Sequence, residues 1–146
     1  MTWQLQASLV IAKRGITCRA VTSVATDKYN CIAWAMSDQT QWWWPNGKGF
    51  WPGRTKTQSL QPTLENFHIA FATRGFVPCV GPAFEPGFEK VALYAKSGEI
   101  THAARQLPTG FWTSKLGPFV DVEHDLAQIE GLDYGNVVAF MRRPIP

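Results

Sequence analysis

The chain has 146 residues, of which 45% are hydrophobic and 17% charged, and its formal net charge is +3. A chain of this length usually forms one domain, and this composition is typical of a globular protein rather than a disordered one. The basic residues are scattered and are not interleaved with stacking aromatic residues, which argues against a nucleic-acid-binding protein. We therefore predict a single globular domain over residues 1–146.

The beginning of the chain carries no recognisable export or membrane signal. Its apolar run, residues 7–12, is too short for the core of a signal peptide or for a membrane span. We therefore expect no membrane partner and a chain that is cytoplasmic as synthesised, although export by a route without a cleaved signal is compatible with the same sequence. Residues 8–12 are a candidate short strand.

Two helices are predicted in the first half of the chain. The run Cys-Ile-Ala-Trp-Ala-Met contains good helix formers without Gly or Pro, so a helix is expected to begin at or beside Cys31, with Asn30 as a capping candidate. A second helix is expected over residues 63–74, where apolar residues follow the helical period. This second helix is interpreted as scaffold.

A tryptophan-rich loop lies between these helices. Residues 40–62 contain three prolines, three glycines and four tryptophans, and a loop of this length is usually functional or mobile. Exposed aromatic clusters mark binding surfaces. Because the loop directly follows the Cys31 helix, we predict a cleft wall rather than a lid. The candidate substrate-binding residues are Asn30, Trp42, Trp43, Trp44 and Trp51.

The second half of the chain is predicted to form an antiparallel sheet. Strands are expected at residues 90–95, 99–107, 111–116 and 136–142, with tight turns between the first three. Residues 121–130 are predicted to form a short helix. The order of helix, loop, helix and sheet predicts an α+β fold with segregated elements.

Cys31 and His102 carry the main functional hypothesis. A thiol becomes a useful nucleophile when its pKa is lowered, and both a helix start and an adjacent imidazole lower it. Cys31 is predicted at a helix start, and His102 on a strand after a tight hairpin, a rigid position from which to orient a base. Backbone N–H groups near Cys31 are expected to contribute to an oxyanion hole.

The residue that would orient His102 remains open. Pairing across the predicted hairpin places Ser114 or Lys115 opposite His102, and period-2 alternation decides which of them faces it. Ser114 is preferred because it can accept a hydrogen bond from the imidazole, whereas Lys115 would repel an imidazolium. The alternatives are the carboxylates of Asp121 and Glu123.

The remaining cysteines and histidines are expected to be structural. Cys18 and Cys79 are interpreted as small core residues, and the odd cysteine count argues for reduced thiols. His68 is expected to be a structural helix residue and His124 a solvated helix residue. No CxxC or HxxxH spacing is present, so we predict no metal and no other cofactor.

Three segments resemble a known group of enzymes. YNCIAWA around Cys31, THAARQ around His102 and WTSKLG around Ser114 look like the papain-like fold of bacterial amidases and peptidases, the NlpC/P60 and CHAP group. The likeness is greater still to small bacterial domains with the same Asn-Cys…His…Ser-Lys-Leu-Gly series, and it covers roughly residues 27–140. It implies a nucleophile helix packed on an antiparallel sheet, with the histidine at the beginning of a neighbouring strand.

The expected function is that of a thiol-dependent hydrolase acting on a peptide or another amide. Peptidases, amidases and deamidases share this chemistry, so the substrate stays open. The alternative is a non-catalytic binding module of the same fold, whose tryptophan-rich loop holds a peptide, a glycan or a partner protein. A hydrogen-bonded Cys31–His102 pair would favour the enzyme, and a buried, inert Cys31 would favour the binding module.

Overall fold

The protein is built around one sheet with helices on both faces. The computed structural model describes residues 2–53 and 60–146. Its helices are α1 (Trp3–Lys13), α2 (Cys31–Ala35) and α3 (Leu64–Ala72), with a short 3-10 helix at Leu126–Ile129. Its strands are β1 (Ala20–Ser23), β2 (Val77–Cys79), β3 (Phe88–Lys96), β4 (Glu99–Gln106), β5 (Trp112–Lys115), β6 (Asp121–His124) and β7 (Asn136–Pro144). None of the helices in these two described segments is long and apolar enough to cross a membrane.

The seven strands form a single antiparallel sheet in the order β1-β6-β5-β4-β3-β7-β2. Strands β3 to β6 follow one another as a meander, and β7 returns to the free side of β3. β1 lies between the first two helices, but the other six strands follow the three α-helices along the chain, and all strand pairs are antiparallel, so the predicted α+β class is confirmed.

Two apolar clusters cover the two faces of the sheet. The cluster beneath α2 and α3 contains Phe67 and Leu93, whereas the cluster beneath α1 contains Ile11 and Tyr94. Leu93 and Tyr94 are neighbours on β3 and point to opposite faces, as successive strand residues do. Burying each large apolar side chain stabilises the fold by about 1.5–3 kcal/mol.

The predicted helices and most of the predicted strands are confirmed. Asn30 is the N-cap of α2, and its Oδ1 accepts a hydrogen bond from the backbone N–H of Ala33 at 3.2 Å. Thr63 caps α3 in the same way through the N–H of Asn66. The strands predicted in the second half correspond to β3, β4, β5 and β7.

Two element predictions are wrong. Residues 8–12 belong to helix α1, because Ala7 and Ile11 lie four positions apart and form a buried helical stripe. Residues 121–124 form strand β6 rather than the start of a helix, and only Leu126–Ile129 is helical. The edge strands β1 and β2 were not predicted, since both are short and β2 contains a proline.

The tryptophan-rich loop is irregular, as predicted, in the part that the structure describes. Residues 40–53 and 60–62 contain no helix or strand apart from an isolated bridge between Trp43 and Phe50. The rest of the predicted loop, residues 54–59, lies outside the described residues. The loop packs against the cluster beneath α2 and α3, which brings it beside the start of α2.

Candidate functional site

Cys31 is the first residue of α2 and lines a small cavity. Its side chain is 6% exposed, and the cavity has a volume of about 290 Å³. The residues that line it are Asn30, Cys31, Trp42, Trp44, Thr101, Gly117 and Tyr134. A reactive atom at this position would therefore meet a ligand in a recess rather than on an open surface.

The Cys31 thiol is protonated at neutral pH in this structure. Burial raises its pKa to about 11, although hydrogen bonds from the backbone N–H groups of Ala103, Ile32 and Cys31 and the charge of Lys115 favour the thiolate. Burial outweighs these groups. We predicted a lowered pKa for the Cys31 thiol from the start of a helix and a nearby imidazole, but in this structure its pKa is raised.

His102 belongs to a row of buried polar side chains that crosses β4, β5 and β6. Its Nε2 lies 2.8 Å from Ser114 Oγ, which in turn lies 2.7 Å from Nε2 of His124. Nδ1 of His124 lies 2.8 Å from the backbone oxygen of Asp125. All three side chains are completely buried, so the row is shielded from water along its length.

The backbone carbonyl of Asp125, at the end of this row, determines which nitrogen of each histidine ring carries a proton. A carbonyl only accepts, so Nδ1 of His124 carries a proton, and burial lowers the pKa of His124 to about 4, which keeps the ring neutral. Nε2 of His124 then accepts from the Ser114 hydroxyl, whose oxygen accepts from Nε2–H of His102. Burial, with a smaller contribution from His124, holds the pKa of His102 well below its usual value. The neutral His102 ring therefore carries a bare Nδ1.

That bare Nδ1 has no hydrogen-bond partner among the residues that the structure describes. A buried acceptor without a donor costs about 1–3 kcal/mol, and such groups are rare in native proteins. The ring is held between Tyr134, stacked at 4.2 Å between ring centroids, and Tyr94, edge-on at 5.3 Å. His102 is thus an oriented imidazole whose Nδ1 has no hydrogen-bond partner among the described residues.

The predicted hydrogen bond between Cys31 and His102 is not formed between these two described residues. Alternation along β4 turns Ala103 towards the cluster that contains Cys31 and turns His102 towards Tyr94 on the other face. The thiol and the ring therefore occupy opposite sides of the same strand.

Cys31 and His102 nevertheless have neighbours in common at β4. One of the N–H groups that face the Cys31 sulfur belongs to Ala103, the residue directly after His102. Backbone pairing between β4 and β5 covers only Arg105–Thr113 and Gln106–Trp112, and further along the His102–Ser114 contact bridges the strands. Tyr134 lines the Cys31 cavity and also stacks on His102, so one side chain contacts both parts of the site.

Lys115 places a buried positive charge near Cys31. Its Nζ donates to the backbone oxygens of Thr26, at 2.6 Å, and Gly117, and it lies 5.2 Å from the centre of the Tyr29 ring. Lys115 is completely buried and forms no ion pair within the described segments. Its charge is stabilised by carbonyl dipoles and an aromatic face, and its field favours negative charge on the sulfur.

Of the residues proposed to orient His102, only Ser114 contacts it. Thr113 pairs with Arg105, so the hairpin register differs from the predicted one, and Ser114 reaches His102 diagonally. Asp121 lies on the opposite face of β6, where it accepts a hydrogen bond from Tyr29 at 3.0 Å. Glu123 shares that face and pairs with Arg19 at 3.7 Å.

Asn30 lines the cavity, and its amide also has a structural role. Its Oδ1 accepts from the N–H groups of Ala33 and Trp43, at 3.2 and 3.1 Å, and its Nδ2 donates to the Trp43 oxygen at 2.7 Å. The amide is thus engaged at both ends. It joins the start of α2 to the tryptophan-rich loop.

The predicted binding tryptophans separate into two groups. Trp42 and Trp44 line the cavity. Trp43 is completely buried and its Nε1 donates to Asp38 at 2.8 Å, while Trp51 packs edge-on against Trp43. Neither Trp43 nor Trp51 is among the residues that line the cavity, and Trp43 points away from it because alternate residues of an extended segment face opposite ways.

Three further predictions need correction or extension. His124 is completely buried in β6 instead of solvated, and its signal in the sequence is the alternation of Val122 and His124. Cys18 and Cys79 are half-buried free thiols, and of the two Cys18 packs against the apolar cluster beneath α1. Tyr134 was not singled out, since nothing local distinguishes it from a loop tyrosine. Within residues 2–53 and 60–146, no cluster of His, Cys, Asp and Glu could hold a metal ion.

Comparison with known proteins gives one match. No curated protein and no solved structure matches the chain. One family model, described as a domain of unknown function (DUF7689), matches residues 20–142. This segment contains Cys31, His102, Ser114 and His124 and makes up most of the sequence. The chain therefore belongs to the DUF7689 family.

Proposed function

We propose that the protein is a thiol-dependent hydrolase of papain-like fold that cleaves an amide bond, with Cys31 as nucleophile and His102 as base. One observation carries the proposal: a buried histidine nitrogen is kept bare by a fixed row of hydrogen bonds and has no partner in the described chain. Leaving this lone pair without a donor costs about 1–3 kcal/mol, and unlike the buried Nε2 of His68 it belongs to a ring whose other nitrogen is fixed by Ser114. A base requires such a lone pair.

In the proposed reaction the sulfur of Cys31 attacks the carbonyl carbon of the amide while Nδ1 of His102 takes the thiol proton. The imidazolium then gives this proton to the amine as the C–N bond breaks, which leaves a thioester on Cys31. Water, deprotonated by His102, attacks the thioester. The carboxylic acid and the free thiol are released.

The electrostatics of the site favour proton transfer during attack rather than a preformed ion pair. The pKa of the Cys31 thiol is raised to about 11 and that of His102 is lowered, both mainly by burial, so the resting pair is neutral. Charge appears only as the reaction proceeds. The N–H groups of Ala103 and Ile32 and the ammonium of Lys115 then stabilise the negative charge near the sulfur.

The proposal also requires a movement, because the thiol and the ring lie on opposite sides of β4 in the resting state. Tyr134 contacts both the cavity and His102. Displacement of Tyr134 by an entering substrate would open one face of the His102 ring towards the cavity. Catalytic hydrogen bonds that tighten only with substrate bound are common in enzymes.

An activated ester tests the nucleophile without knowledge of the natural substrate. With p-nitrophenyl acetate we expect release of p-nitrophenolate and one acetyl group on the Cys31 peptide, detected by mass spectrometry. Cys31→Ala should abolish both, and His102→Gln should slow acylation by about 10²–10⁴-fold. The matched control is Cys79→Ala, which removes a half-buried thiol elsewhere. Acetylation spread equally over the three cysteines would contradict the proposal.

The non-catalytic binding module remains the second candidate, and it is favoured by the near-complete burial of Cys31 and its raised pKa. In that case Trp42 and Trp44 would hold a peptide, a glycan or a partner protein. The two candidates differ in the alkylation of Cys31 by iodoacetamide. The module predicts slow labelling that His102→Gln does not change, and the enzyme predicts labelling that falls in this variant.

A further inference from the structure

We propose that the cavity beside Cys31 binds the acyl side of the substrate and selects an uncharged group with an apolar side chain, aromatic or branched aliphatic. This inference rests on the proposed hydrolase function, since it names the substrate class of the same site. It is carried by the chemistry of the cavity lining rather than by the reacting pair.

The lining of the cavity is aromatic and uncharged. Trp42, Trp44 and Tyr134 supply three rings, and no Asp, Glu, Lys or Arg is among the described residues that line it. The buried charge of Lys115 is bound by the carbonyls of Thr26 and Gly117, and Lys115 does not itself line the cavity. A charged group entering this space would lose its water without an ion-pair partner among the lining residues, which is unfavourable.

The polar side chains of the lining are already engaged by the protein. The amide of Asn30 is bound to Ala33 and Trp43, and the hydroxyl of Thr101 donates to the backbone oxygen of Tyr134. The hydroxyl hydrogen of Thr101 and the amide oxygen of Asn30 are thereby occupied, which leaves the Thr101 oxygen as an acceptor and one Asn30 N–H as a donor. Polar recognition inside the cavity is therefore limited, and apolar contact dominates.

The indole N–H groups of Trp42 and Trp44 are the exception. Neither donates a hydrogen bond within the described chain, whereas those of Trp34 and Trp43 bind Thr113 and Asp38. Trp42 is also 37% exposed, so its ring stands at the rim. These two donors suit acceptor atoms such as the carbonyl oxygens of an acyl chain.

The size of the cavity limits what it holds. Its volume of about 290 Å³ is slightly smaller than the roughly 300–1,000 Å³ of typical ligand cavities. It accommodates one side-chain-sized group next to the sulfur rather than an extended polymer. We infer that the group attached to the scissile carbonyl occupies it.

A series of p-nitrophenyl esters with one leaving group tests this inference. The acyl groups are acetyl, isovaleryl, phenylacetyl and the charged succinyl, and each rate of Cys31 acylation is divided by the rate with free N-acetylcysteine. We expect phenylacetyl and isovaleryl to exceed acetyl by about tenfold or more, because added apolar groups in a hydrophobic pocket discriminate by 10–200-fold. Succinyl should fall below acetyl.

Variants connect the preference to the cavity. Trp42→Ala and, as a second variant, Trp44→Leu should reduce the ratio of phenylacetyl to acetyl acylation towards one. The matched control is Trp3→Ala on α1, another partly exposed tryptophan outside the cavity, which should leave the ratio unchanged. Circular dichroism checks that each variant is folded.

The outcomes separate the inference from the proposed function. Acylation of Cys31 with equal corrected rates for all four esters would overturn the inference and leave the hydrolase proposal standing. A preference for succinyl would likewise overturn it. If no ester acylates Cys31, the hydrolase proposal fails, and with it the substrate class that rests on it.

Discussion

Two segments of the sheet, on either side of β4, are equally buried, but one is made of apolar residues and the other contains polar and charged ones. Residues 91–94 of β3 read Val-Ala-Leu-Tyr and residues 112–115 of β5 read Trp-Thr-Ser-Lys, and all eight side chains are buried. The first stretch gains stability from the transfer of apolar surface out of water. The second buries a hydroxyl row and a charge, which is unfavourable unless every polar group is bound.

The partners of β5 show what offsets this cost. Thr113 accepts from the indole of Trp34, Ser114 binds two histidines, and Lys115 donates to two carbonyls. Apolar residues of similar size at such positions are often as stabilising or more so. The difference between the strands is that β3 contributes apolar side chains to the core, whereas β5 contributes the buried polar groups of the candidate site.

The largest expected effect lies on the apolar side of this comparison. Leu93→Ala should lower the free energy of unfolding by about 2–5 kcal/mol, because it removes a completely buried side chain and leaves a cavity. Urea unfolding followed by tryptophan fluorescence measures the loss. Leu93→Met is the control and should cost less than about 1.5 kcal/mol. A loss below 1 kcal/mol for the alanine variant would show that β3 is not the stability core.

The next largest effect is a pH dependence of stability that arises from His124, a hydrogen-bond partner of Ser114 on β5. His124 has a pKa of about 4 in the folded protein and about 6.5 when unfolded, so the unfolded chain binds more protons between these values. The free energy of unfolding should therefore fall by roughly 3 kcal/mol as the pH falls from about 6.5 to about 4. The lowered pKa of His102 acts in the same direction, and the raised pKa of Asp121 acts against it.

Urea unfolding of wild type and His124→Gln over this pH range isolates the contribution. The variant lacks the titrating ring, so its stability curve should be flatter while Asp121 still titrates in both proteins. Parallel curves for the two proteins would mean that His124 is not buried in the neutral form.

A third, smaller effect concerns Ser114 as the positioning residue of His102. Ser114→Ala removes the shared partner of two ring nitrogens and should cost about 1–3 kcal/mol of stability. Without the Ser114 hydroxyl, the proton of the neutral His102 ring is no longer held on Nε2 and can move to Nδ1. Acylation of Cys31 by p-nitrophenyl acetate should then slow by about tenfold or more, and its pH profile should change shape. Ser114→Thr keeps the hydroxyl and should restore the pH profile of acylation. If Ser114 has only a structural role, the pH profile should be unchanged in both variants.

The smallest effect tests the single hydrogen bond of Thr113. Trp34→Phe removes the indole N–H that donates to Thr113 at 3.1 Å, and the bond should contribute about 0.5–1.5 kcal/mol. Thr113→Val and the double variant complete a mutant cycle on unfolding free energies. A coupling energy of zero would show that this contact does not offset the burial of Thr113.

The sequence predicted the elements that follow one clear period or carry a cap. The helix at Cys31 could be predicted because Asn30 precedes a run of helix formers, and the strand around His102 because a Ser-Gly turn separates two β-rich segments. Residues 8–12 were wrongly predicted as a strand, because a short apolar run occurs both in strands and in the buried face of a helix such as α1. Local pattern alone does not decide between them.

The site was predicted less completely, because its contacts depend on tertiary pairing. Ser114 was expected near His102, but the actual register differs and only the placement of β6 brings His124 into the same row. The burial that raises the pKa of Cys31 comes from the loop and sheet packed around it. Neither the register nor this packing can be read from residues near Cys31 or His102 in the sequence.

The anchoring of the tryptophan-rich loop has a consequence for how this protein family can diversify. Asn30 holds the loop through the backbone N–H and carbonyl of Trp43, and Trp42 and Trp44 face the cavity from either side of that anchor. Since the anchor uses main-chain atoms of Trp43, it does not depend directly on the side chains at positions 42 and 44. Trp44 also packs on Phe67, so position 42 is where the cavity lining can change with the smallest effect on the loop.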